Sequence, residues 1–108
     1  MSIERKKIIR KDELSVRIKY LKEVLEKNCD LIRYLDEKGI MEKYIDALDV
    51  IKRLEEIDKV YIILLIQWIK NEIRHTNIYV LMRYLTLKQK QELEACLNNF
   101  LEMFREDV

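Results

Sequence analysis

The chain contains no proline, one glycine at position 39, two cysteines, one histidine and two serines in 108 residues. Each shortage removes a class of protein. A sequence this poor in turn formers does not read as an all-β or collagen-like fold. One glycine cannot build a phosphate-cradling loop or a dinucleotide turn, because both need several positions where bare backbone approaches the ligand. Ser2 and Ser15 lie far from His75 along the chain and neither sits in a nucleophile-elbow pattern, so a serine-based triad is not expected. Cys29 and Cys96 are widely separated within helical patterns, which is neither a disulfide framework nor a zinc-binding spacing. They read as small buried hydrophobes in a reducing compartment.

Charge of one sign is also missing. Lysine and arginine number 21 against 20 aspartates and glutamates, a formal net charge of +1, which argues against a whole-domain basic or acidic binder. Hydrophobic residues make up 49% and charged residues 38%, enough for a core and a wetted surface, and a single helical domain over residues 1–108 is expected. The charged opening stretch leads into no apolar segment with a cleavage pattern, so no secretory signal is expected. The longest apolar run, residues 60–66, extends to residue 69 across Gln67 and Trp68 and is about half a membrane span. These features predict a cytoplasmic protein with no membrane partner.

What is present is helical periodicity, and it predicts an all-α bundle of about five helices around a hydrophobic central helix. Over residues 12–38, Leu14, Ile18, Leu21, Leu25, Ile32 and Leu35 recur at heptad spacing, with Asn28 at a seam position. Such an asparagine either fixes the register of a partner helix or lies on a solvated flank. Gly39 suits a left-handed C-cap. Residues 41–57 carry a second stripe, Met41, Tyr44, Ile45, Leu48, Ile51 and Leu54, with Asp46, Asp49, Lys52, Arg53 and Glu56 facing away. Asp58 is placed to cap a third helix that is apolar around nearly its whole circumference and therefore requires enclosure. A break is expected near His75, Thr76 and Asn77, then a short helix over residues 78–85. Thr86 followed by Gln89 forms a capping-box pattern opening a last helix over residues 87–105, striped by Leu93, Cys96, Leu97, Phe100, Leu101 and Phe104.

A domain of this size struggles to wrap one helix completely, so the third helix is expected to present Ile62, Ile63, Ile66, Trp68 and Ile69 to a second copy. The leading expectation is thus a non-enzymatic protein–protein interaction module, an adaptor, inhibitor or assembly subunit acting as a homodimer. No catalytic, cofactor-binding or metal-binding residue is assigned, and no cofactor is expected. Glu72 and His75 do share the Glu-x-x-His spacing of bundle di-metal sites. With a single histidine, two chains would have to pool ligands, with Glu42 or Glu55 contributing. The simpler expectation for His75 is contact with the last carbonyls of its helix.

The alternative is a small DNA- or RNA-binding regulator. Arg5, Lys6, Lys7, Arg10 and Lys11 would act as a flexible basic arm for phosphates over residues 1–11, and the last helix would present Lys88, Gln89, Lys90 and Gln91 as in a helix-turn-helix. Glu92 and Glu94 follow at once, and a plain helical hairpin explains the same pattern.

Overall fold

The computed structural model describes residues 11–38 and 46–105. Among them the chain is all-α, a small bundle of six helices with no strand: α1 (Lys11–Lys27), α2 (Cys29–Lys38), α3 (Ala47–Lys52), α4 (Lys59–His75), α5 (Ile78–Leu81) and α6 (Leu87–Arg105). No helix among the described residues is long and apolar enough to cross a membrane.

The expected first helix is two helices, and Asn28 is the reason. Its amide donates to the Leu25 carbonyl at 3.1 Å, a tightened turn, while its side-chain Nδ2 donates to the Val24 carbonyl at 2.8 Å. Asparagine competes for backbone groups in this way, which interrupts the ladder of α1 before the Ile32 amide resumes it on the Asn28 carbonyl. Asn28 is half-buried, and its side chain bonds to the backbone of its own helix. Leu21, Leu25, Ile32 and Leu35 of the expected stripe are fully buried, joined by Leu31 across the break.

The second expected helix is shorter where it is described. The Asp46 carboxylate accepts from the amides of Leu48 and Asp49 at 3.0 and 3.4 Å, which makes it the N-cap of α3 and not a residue of an outward helical face. After Lys52 the backbone tightens through short-range bonds, Leu54 to Ile51 and Glu56 to Arg53. The buried positions are Ala47, Val50, Ile51 and Leu54, so the inward face is rotated from the expected one and Leu48 is only half-buried. Gly39, Met41, Glu42, Tyr44 and Ile45, all named in the sequence reading, lie outside the described residues.

The later punctuation follows the sequence closely. Asp58 Oδ1 accepts from the Val60 amide at 3.0 Å and opens α4. Extended backbone at Thr76 ends it, and Asn77 caps α5 by accepting from the Tyr79 amide at 2.8 Å. At Thr86 the capping box is complete in both directions: the Gln89 amide donates to Thr86 Oγ1 at 3.1 Å, and the Thr86 amide donates to Gln89 Oε1 at 2.7 Å. Thr86→Ala is expected to cost about 1 kcal/mol, lowering Tm by roughly 4–8 °C in a domain of this size. A thermal melt followed by circular dichroism checks this, and an unchanged melt would mean that the box does not hold the start of α6.

The core forms where α1, α2, α4 and α6 meet. α1 packs on α6, α3 and α2, while α4 packs on α2 and α6. Leu93, Cys96, Leu97 and Phe100 supply the buried face of α6, and Leu101 and Phe104 of its expected stripe are half-buried. Tyr34 and Tyr84 stack with ring centroids 5.2 Å apart, tying the turn after α5 to α2. This packing leaves α4 with two closely packed neighbours instead of a surrounding ring.

Candidate protein-interaction surface

With successive residues turned by 100°, the apolar circumference of α4 divides into two arcs. Ile62, Leu65, Ile66, Ile69 and Ile73 point into the core, and Val60, Tyr61 and Leu64 point away from it. The outer three are 54%, 52% and 49% exposed. Asp58 sets where the helix starts, and the packing of α2 and α6 sets its rotation. Trp68, half-buried against the core, borders the same outer strip by helical spacing.

This arrangement corrects the expected interface. Ile62, Ile66 and Ile69 have 0% exposure within a single protomer, so they offer no side-chain surface to a second copy. Only Ile63 and Trp68 of the expected set keep partial access. The exposed apolar residues are others, Val60, Tyr61 and Leu64, and a sequence signal for them existed. Gln67, Asn71 and His75 are polar residues of the same helix, and stepping back from Asn71 at helical spacing passes through Gln67, Leu64 and Val60. An apolar run taken as a whole hides that phase.

Beside the strip, α4 and α6 enclose an open groove of about 810 Å³. Ile63, Leu101 and Phe104 give it an apolar floor, and Lys70 and Arg74 face Glu94 and Glu102 across it. Lys59 Nζ lies 5.7 Å from the centroid of the Phe104 ring, a cation–π contact that turns this lysine toward α6 and away from the outer strip. A second group of exposed apolar side chains, Ile78, Tyr79, Met82, Tyr84 and Leu87, surrounds the short α5.

The chemistry-bearing candidates are dispersed. His75 is exposed, and its Nδ1 contacts the Asn71 carbonyl at 2.8 Å, the helix-end contact expected of it, while Glu72 is half-buried. Among the described residues no group of three or more histidines, cysteines, aspartates or glutamates stands close enough to hold a metal ion. Cys29 and Cys96 are free thiols, and burial pushes the Cys96 thiol above its ordinary pKa, so it stays protonated at neutral pH.

The nucleic-acid candidates do not converge either. Arg5, Lys6, Lys7 and Arg10 lie outside the described residues, and Lys11 is the first residue of α1, so the helix reaches into the segment expected as an arm. Lys88 is exposed at the start of α6, but Lys90 Nζ is bound to Glu94 Oε1 at 2.8 Å and Gln89 is occupied in the capping box. Compared with models of known families, with curated proteins and with solved structures, the chain matches none.

Proposed function

We propose that this chain is a non-enzymatic protein–protein interaction module, an adaptor, inhibitor or assembly subunit, that works in the cytoplasm as a homodimer through the outer face of α4. One observation carries the reading: Val60, Tyr61 and Leu64 form an apolar strip on a rigid helix whose opposite face is locked into the core. Association removes this surface from water at roughly 25 cal/mol for each Å² of apolar area. Its composition also suits the task, because tyrosine and tryptophan supply large contact area with few rotatable bonds, and Tyr61 belongs to the strip while Trp68 borders it. The two free thiols are compatible with a reducing compartment. The nucleic-acid reading has less support, since Gln89 and Lys90 are already engaged within α6.

Sedimentation across a concentration series tests the proposal. The wild-type protein is expected to pass from monomer to dimer, and Leu64→Asp is expected to stay monomeric with an unchanged circular dichroism spectrum. A wild type that stays monomeric at high concentration overturns the homodimer. A Leu64→Asp variant that dimerises as well as wild type overturns the assignment of the face.

A further inference from the structure

We infer that the corner of the bundle built from α5 and the first residues of α6 is a second docking face, and that its occupant is an acidic amphipathic segment of a partner protein. Ile78 and Met82 stand one helical turn apart, joined by a 3.0 Å bond from the Met82 amide to the Ile78 carbonyl, and Tyr79 shares their side of the helix. All three are exposed, Tyr79 to 80%, and Leu87 is exposed on the first residue of α6. Large apolar side chains gathered in water on a folded surface mark a place where another molecule sits. The outer strip of α4 occupies the first turns of that helix and this corner follows its last, so the two faces are distinct.

The backbone beneath this face is fixed at several points. Leu81 and Leu85, joined by a 3.1 Å backbone bond, are buried in the core. The Asn77 cap opens the turn, the Thr86–Gln89 box closes it, and Tyr84 stacks on Tyr34 of α2. A face that is already ordered gives up little conformational freedom on binding, so more of its contact energy is kept as affinity.

Charge selects the occupant. Residues 73–91 contain no aspartate or glutamate in a chain that has 20 of them, while they carry Arg74, Arg83, Lys88 and Lys90. Lys90 is bound to Glu94, and Arg74 lines the groove between α4 and α6. Arg83, one turn after Tyr79, and Lys88, next to Leu87, are exposed, and among the described residues neither is in a salt bridge. Asp30 and Glu37 of α2 line a recess with Arg83, but the Asp30 carboxylate already bridges Arg33 at 3.4 Å. A partner segment with apolar anchors and carboxylates beside them satisfies both the bare side chains and the two cations. A nucleic acid fits less well, because two cations neutralise few phosphates and Ile78, Met82 and Leu87 offer no ring for a base to stack on. An anionic lipid surface also fits less well, since it draws on clusters of about four to eight cations or on a long amphipathic helix, and α5 has four residues.

Fluorescence anisotropy with a labelled synthetic peptide tests this face. The probe is an amphipathic helical peptide of glutamate and leucine, about 16 residues long so that it spans roughly four turns. Its controls are the same peptide with lysine in place of glutamate, an oligo-dT strand, and vesicles of phosphatidylcholine mixed with phosphatidylserine. The glutamate peptide is expected to bind with a Kd on the order of 10–100 μM, and the lysine peptide roughly tenfold more weakly. Arg83→Glu combined with Lys88→Glu is expected to weaken binding of the glutamate peptide roughly tenfold, as is Tyr79→Ser combined with Met82→Ser, each with an unchanged circular dichroism spectrum. Leu64→Asp, which tests the α4 strip through self-association, is expected to leave peptide binding unchanged. Absence of binding up to about 1 mM, equal binding of the two peptides, or binding that survives both double variants overturns the proposal. Loss of peptide binding in Leu64→Asp also overturns it, because the peptide then sits on α4. Oligo-dT or vesicles bound more tightly than the glutamate peptide, and released by the same double variants, overturn the protein partner and reassign the face.

Discussion

Ile66→Asp is expected to unfold the protomer, whereas Leu64→Asp, two positions earlier on the same helix, leaves it folded. Ile66 has no exposed surface and sits among Ile62, Ile69 and Leu97 in the core cluster. The substitution removes about 1.5–3 kcal/mol of apolar burial and demands several kcal/mol more to desolvate a carboxylate with no cation beside it. A domain of this size holds roughly 5–15 kcal/mol in total, so the combined loss removes most or all of its stability. Leu64 is half in water already, and aspartate there costs only about 1 kcal/mol through weaker helix propensity and lost partial packing. Urea unfolding followed by circular dichroism distinguishes the two. Equal destabilisation by both substitutions would mean that the rotation of α4 is wrong, and with it the outward strip.

Leu97→Ala is expected to cost about 2–5 kcal/mol, the range for deleting a buried leucine in a helical core. Leu97 is fully buried on the inner face of α6, the helix that packs against both α1 and α4. The urea midpoint should fall with little change in the slope, because the surface uncovered on unfolding stays nearly the same. A loss below about 1 kcal/mol would show that α6 lies on the bundle without anchoring it.

Local chemistry was readable wherever a short side chain acts on backbone close to it in sequence. Asp58, Asn77 and the Thr86–Gln89 pair cap their helices as their types and spacing imply, because these bonds need no information beyond about three residues. The stripe of α6 was readable for a related reason: charged and polar residues fill its opposite side and leave one inward choice. Asn28 shows where such reading stops. Its type signals competition with the backbone and its seam position signals burial, and only the structure shows the first winning, with the side chain on the Val24 carbonyl and the helix broken there. Asp46 is similar, since its cap became visible only once the residues after it turned Ala47 and Val50 inward. The exposed arc of α4 was not readable, because Ile62, Ile66 and Ile69, which are buried, are as apolar as Val60, Tyr61 and Leu64, which are exposed, and hydrophobicity alone gives a run of this kind no preferred direction.

The amino-acid sequence by itself determined an all-α chain, most of its helix boundaries and the residue types available for a core, since helical periodicity and caps are local properties of neighbouring residues. The tertiary structure alone decided which arc of α4 is spent inside the molecule and which is left facing water. That choice depends on where α2 and α6 cover the helix, and contacts between residues far apart in the chain leave no mark on the periodicity of the segment they cover.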